Sequence, residues 1–185
     1  MFSANLGVGA AFGVGAYLVT YVLTYVFTAI DGVRVSGEIA TWKAVGWVFY
    51  AAQFVNTQTT ISAGGQSQTQ SINPITDATA TADITSTIPG FVYHLAPVVV
   101  LVVAGYLVAQ RIRETSTTET AAAAGATVVV GYLVLGVVGR FLFTVSQSSQ
   151  IGSASVGPEL LMSVVLLGIV YPVVFGGIGG VLATQ

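Results

Sequence analysis

The sequence predicts an all-α integral membrane protein, a four-transmembrane-helix bundle with an interfacial helix and a small β-rich outer loop cap. Three observations carry this. Only 6% of the 185 residues are charged, against about 25% in an ordinary soluble domain, so little surface is built for water. Mean hydropathy is +0.86. The uncharged stretches fall into four runs close to the ~20 residues that cross a hydrocarbon core. This composition excludes a secreted soluble enzyme, a disordered linker and a nucleic-acid-binding module. The expected surroundings are the lipid bilayer, with no nucleic acid partner. With no cysteine, disulfides, thiolate nucleophiles and iron–sulfur ligands are also excluded, and no cofactor is expected.

The first run, residues 6–30, ends at the first charge, Asp31. It reads as a spanning helix rather than a signal peptide: no positive n-region precedes it, and no small-residue cleavage site lies before Asp31. Residues 89–109 form the second, stopping at Gln110, Arg111 and Arg113. The third covers 121–143 with Arg140 near its end, and the fourth covers 160–182. Pro97 and Pro172 lie inside the second and fourth, where each removes a backbone donor and invites a kink. All four belong to one membrane domain, 1–185.

Residues 31–88 form a long segment of two characters. Its first half, 39–55, is apolar and rich in tryptophan, which suits the headgroup level, and reads as an interfacial or re-entrant helix; a fifth span is the alternative. The second half, 56–88, is a Thr/Ser/Gln-rich polar cap. Gly64-Gly65 separates Thr57–Ala63 from Gln66–Ile72 as a two-residue hairpin, and Ala78–Thr85 alternates with the period of a strand. A small β-meander follows from this, with disorder as the rival given the low complexity. Arg111 and Arg113 in the short loop after the second run incline both termini to the cytoplasm, with the cap outside the cell membrane.

Small residues four apart allow helix backbones to approach closely. Gly9 and Gly13 in the first run and Gly176 and Gly180 in the fourth have this spacing. They mark seams within one bundle, or, alternatively, a homo-oligomer interface. The first run also carries Tyr17, Tyr21 and Tyr25 in one row and Thr20, Thr24 and Thr28 in the adjacent one. This hydroxyl face could wall a polar pathway; otherwise the threonines bond their own helix carbonyls while the rings pack. His94, Arg140 and Glu159 share the expected outer side and form the candidate polar cluster, with an Arg140–Glu159 pair as its structural version. A titrating His94 would make that cluster pH-sensitive. Arg34, Glu38 and Lys43 belong to the same level.

Enzyme patterns fail on inspection, and no catalytic or metal site is expected. One histidine excludes a histidine-rich metal site. Ser153–Gly157 approaches a nucleophile elbow but lacks the first glycine. Gly7-Val8-Gly9 and Gly13-Val14-Gly15 follow no strand, so they are no dinucleotide fingerprint.

The stretch WKAVGWVFYAAQFV, Trp42–Val55, resembles a block found in uncharacterised membrane proteins of halophilic archaea. Those proteins are also similar in order: a Gly/Ala-rich first span with a run like Tyr17–Tyr25, the tryptophan block, a variable polar loop, then three spans. The resemblance implies a membrane protein of unknown function, sometimes described as transporter-like, and carries no site residue across. In layout the chain is also similar to claudins, whose outer-loop cysteines it lacks; that likeness bears on topology alone. The expected function is a non-enzymatic scaffold or accessory subunit whose extracellular cap meets an envelope protein partner, with a small transporter or channel-like protein, possible as an oligomer, as the alternative.

Overall fold

The computed structural model describes residues 2–32, 39–77, 87–112, 117–150 and 152–185. The expected strand over 78–85, together with Arg34, Glu38 and Arg113, lies outside them. Four helical stretches are long and apolar enough to cross a membrane: Leu6–Ile30, Gly90–Arg111, Thr118–Leu142 and Leu160–Leu182. The first lies within α1 (Phe2–Ile30) and the second is α3 (Gly90–Arg111). α1 packs against α3 and against the second half of the third stretch, and the end of the fourth packs between α3 and the first half of the third.

The third and fourth stretches are not uniform helices. The third divides into α4 (Thr118–Ala126) and α5 (Val129–Leu142). Its start is held by Thr117, which accepts from the Thr120 backbone N–H, an N-cap that satisfies an otherwise orphaned donor. At the division, the Ala124 carbonyl accepts from both the Thr127 N–H (3.1 Å) and the Thr127 hydroxyl (2.6 Å). A threonine bonding back in this way competes with the helix ladder and bends it. The fourth stretch begins as α6 (Leu160–Met162), widens to a π-helix over Ser163–Val170 and returns to α-helix in α7 (Tyr171–Leu182). Pro172 sits in the first turn of α7. Its ring would clash with the carbonyl four residues back in a continuous α-helix. The wider turn before it relieves that clash, so a π stretch takes the place of the expected kink.

The segment after α1 is a correction in two respects. Its helix, α2, covers only Thr41–Ala51, about 16 Å at 1.5 Å per residue. That is too short for a fifth span. Its inner face enters the bundle, with Phe49, Tyr50, Ala51 and Ala52 wholly buried, while Trp42 at its start stays exposed. The cap departs from a meander confined to 56–88. β1 (Thr57–Ala63) and β2 (Gln66–Ile72) form the hairpin, with Gly64 and Gly65 both at positive φ (58° and 79°), as a type I′ turn requires. A second hairpin, β3 (Val145–Ser149) and β4 (Gly152–Pro158), comes from between the third and fourth long stretches. The four strands make one antiparallel sheet in the order β2-β1-β4-β3, with Thr57 opposite Pro158 and Ala63 opposite Gly152. The bundle is therefore all-α, but the cap is a sheet drawn from two loops.

Candidate functional site

α2 is the element around which polar side chains converge. Its polar residues Lys43, Trp47 and Gln53, set in an apolar block, find protein partners. The Lys43 ammonium donates to the Thr144 carbonyl (2.9 Å) and the Trp47 indole N–H to the Phe143 carbonyl (2.8 Å). Both carbonyls stand at the C-terminal end of α5, where helix acceptors have no internal partner and a cation is favoured. Between these two donors Gly46 faces the Phe143 ring, which a Cβ there would overlap. Trp47 is thus a clamp on the end of α5.

Deeper, Tyr17, Tyr50, Tyr132 and Gln53 are buried together. The Tyr50 hydroxyl donates to the Gly136 carbonyl, so its single proton is committed and Tyr17 must be the donor in the Tyr17–Tyr50 contact at 3.3 Å. The Tyr132 hydroxyl donates to Gln53 Oε1 at 2.9 Å, and Gln53 Nε2 donates to the Phe49 carbonyl at 3.3 Å. The rings of Tyr17 and Phe49 meet edge to face at 4.8 Å, and those of Tyr17 and Tyr132 at 5.4 Å, a favoured aromatic geometry. Burial, reinforced by the neighbouring Tyr17, pushes the Tyr50 hydroxyl far above the ordinary tyrosine range. It is a neutral donor, not an acid. Both donor chains end on backbone carbonyls, so this node fastens α1, α2 and α5 together.

The hydroxyl face of α1 divides accordingly. Thr20, Thr24 and Thr28 are buried, and each hydroxyl donates to the carbonyl four residues earlier, at 2.8, 2.9 and 2.9 Å. Of the tyrosine row, Tyr17 belongs to the node, Tyr21 donates to the Trp42 carbonyl (2.9 Å), and Tyr25 is exposed. The two rows line no common path.

The outer cluster is not assembled: among the described residues, no hydrogen bond or ion pair joins His94, Arg140 and Glu159. His94 Nδ1 meets the Ala52 carbonyl at 2.9 Å, and its ring stacks on Phe54 with centroids 4.5 Å apart. Arg140 donates through Nε to the Pro158 carbonyl (3.1 Å). Glu159 takes part through its backbone, its N–H bonding the Asn56 carbonyl and its own carbonyl accepting from Ser163. The His94 and Arg140 contacts tie the end of α2 and strand β4 to long helices, and the Glu159 N–H ties the start of the fourth stretch to the residue before β1. Ser153–Gly157 lies within β4, not at the strand-to-helix turn a nucleophile elbow needs. Among the described residues, no three His, Asp or Glu side chains converge.

Sequence reasoning missed two features here. Asp31, read only as the end of a span, accepts from the Thr87 and Ile88 N–H groups (2.8 Å each) and the Tyr93 hydroxyl (2.7 Å), closing the 31–88 segment at its base. Phe54 has φ +59, the left-handed region that a bulky residue rarely adopts. It ends α2 in a Schellman arrangement, with Val55 N–H bonding the Tyr50 carbonyl and Phe54 N–H the Ala51 carbonyl. Glycine is usual there, so nothing in the local sequence signals the turn.

The glycines expected at seams meet backbone within the same chain. A Cβ at Gly9 would overlap Thr127, and one at Gly13 the Val128 carbonyl; both contacts fall where α4 gives way to α5. Gly176 faces Gly125 and Val128, and Gly180 faces the Ala121 carbonyl.

A model of a family of unknown function, DUF7978, matches residues 3–185. The chain belongs to that family. The match takes in every element of the node and the cap, so these are parts of one family unit. No curated protein and no solved structure matches the chain.

Proposed function

We propose that this DUF7978 protein is a multi-pass cell-membrane protein that acts as a non-enzymatic scaffold or accessory subunit, with its sheet outside and its termini cytoplasmic. The observation that carries the reading is that the hydroxyls of the α1 threonines and the polar groups of the tyrosine–glutamine node are consumed within the fold. The Thr57 hydroxyl at the start of β1 is buried without a partner among the described residues. The threonine hydroxyls of α1 bond their own helix, and the tyrosine–glutamine node ends on the Gly136 and Phe49 carbonyls. A conduction path needs polar groups free to replace a solute's hydration, and none of these is. What the molecule offers outward is the uncharged polar sheet, held rigidly by α2 and therefore suited to meet an envelope protein. The resemblance of the Trp42–Val55 block extends the proposal to the membranes of halophilic archaea.

The test is flux in proteoliposomes combined with labelling of Ser67→Cys in intact cells by a membrane-impermeant maleimide. The expected result is no ion or small-solute flux above empty liposomes and full labelling of the cap. Flux that Thr24→Val abolishes would replace this reading with the transporter one, and a cap that cannot be labelled would invert the molecule.

A further inference from the structure

A groove between two of the long helices is left unfilled among the described residues. It runs between α1 and α3, with a volume of about 530 Å³, and its walls are wholly aliphatic or aromatic. Val99, Val103 and Leu107 line it from α3, one residue per turn along a single face, over roughly 12 Å of helix. The opposite wall carries Ala11, Gly15 and Ala16, small residues that leave the room. Gly15 is the position that makes the space: unlike Gly9 and Gly13, a Cβ there would meet nothing within 4 Å. The α3 row continues by the next four-residue step to Arg111, the last residue of that helix. The Arg111 guanidinium lies over the ring of Phe12, 5.0 Å from its centroid, and Phe12 itself lines the groove. The result is an apolar channel open on its side with a fixed cation at one end.

We propose that this groove is a binding site for one anionic phospholipid, an acyl chain lying along Val99–Leu107 against Gly15 and the phosphate resting on Arg111. The proposal rests on the reading of the long helices as membrane spans. The chemistry matches at both ends. Hydrocarbon fills a cleft that water would leave at a cost, and a basic group where a helix pair reaches the headgroup level selects negative lipid. The ring of Phe12 beneath the guanidinium keeps the charge at the groove mouth rather than free to roam. The charge also separates lipid from a second copy of this chain as occupant, because a neighbouring apolar helix offers Arg111 no anion.

The full chain is first tested for resistance to alkaline carbonate extraction, then placed in nanodiscs of phosphatidylcholine with and without phosphatidylglycerol. Retained lipid is counted by native mass spectrometry, and thermal unfolding is followed in parallel. The wild type is expected to retain phosphatidylglycerol selectively and to melt at higher temperature in its presence. Arg111→Gln should reduce that selectivity about fivefold, the effect of one basic residue near an anionic surface. Gly15→Leu should abolish retention while its melting in phosphatidylcholine does not fall below the wild-type value, since the new side chain enters open space and the helix loses a glycine. An integral protein without phosphatidylglycerol preference, or one whose preference survives both substitutions, overturns the lipid site alone. So does a dimer that Gly15→Leu dissociates with lipid content unchanged, which would make a second copy the occupant. A chain washed off by carbonate overturns the membrane reading and this proposal with it.

Discussion

The half of the bundle nearest the cap and the half away from it are joined by opposite means. Away from the cap, helices touch through missing side chains. Gly105 and Gly125 both face the Gly176 carbonyl, Gly179 faces the Val102 carbonyl and Gly180 that of Ala121, so α3, α4 and α7 meet backbone to backbone. Near the cap, α2 drives large side chains between helices, and Tyr50, Tyr132, Phe49 and Gln53 are wholly buried there. The first method needs nothing but close approach and dispersion contact, which is what apolar surroundings leave available. The second uses directed hydrogen bonds, which stand in for the missing hydrophobic drive but must all be satisfied. The difference teaches that the contacts at Gly105, Gly125, Gly179 and Gly180 leave no room for an added atom, whereas the tyrosine–glutamine node depends on each of its polar groups finding a partner.

The largest effect should come from adding atoms to the glycine half. Gly179→Ala would set a Cβ against the Val102 carbonyl and the Tyr106 nitrogen, and we expect a loss of about 1–3 kcal/mol from overpacking, read as a lowered melting temperature in detergent. Gly7→Ala is the control: its Cβ meets nothing, and removing glycine from a helix should add about 0.5–1 kcal/mol. Equal behaviour of the two would break the comparison.

In the aromatic half, Tyr132→Phe strands the Gln53 carbonyl oxygen, which accepts from the Tyr132 hydroxyl. A buried orphan acceptor costs ~1–3 kcal/mol, while hydrogen bonds between membrane helices average ~0.6; we expect about 1 kcal/mol. Removing both partners in Tyr132→Phe/Gln53→Leu should recover part of that, because the orphaned amide oxygen goes with the side chain, and only part because the Phe49 carbonyl then loses its Gln53 donor. A double variant worse than the single would show that packing of the glutamine matters more than its polarity.

The smallest effect is expected at Phe54, where two terms oppose. Phe54→Gly relieves a left-handed conformation worth about 1–2 kcal/mol and gives up a ring stacked on His94, worth about 0.5–1.5 kcal/mol. Melting should therefore change by less than ~1 kcal/mol. A clear gain in stability would mean that the stack contributes nothing and that the exposed ring is kept for a contact outside the molecule.

Local chemistry was enough to find the long helices, the β1–β2 hairpin and the glycine spacing. Each signal sits within a few neighbouring residues: an uncharged run, a Gly-Gly turn, a four-residue step. The candidate node was half legible. Tyr17 and Thr20 stood out on α1, but Tyr50, Gln53 and Tyr132 lay in stretches whose apolar neighbours hid them, and their meeting depends on three helices folding together.

By itself, the sequence determined that four segments are long, apolar helices, because so few charges and such long uncharged runs favour a backbone that satisfies its own hydrogen bonds. Only the tertiary structure decided where those helices give way. Nothing local marks the break at Thr127–Val128 beyond a single threonine, and Pro172 signals a kink but not the π stretch at Ser163–Val170 that takes its place. It also decided that Gly152–Pro158 pairs with Thr57–Ala63. The first strand's alternation of Ala154, Val156 and Pro158 with serine and glycine is a short strand signal, but its register is set by a partner nearly a hundred residues away that the bundle brings alongside.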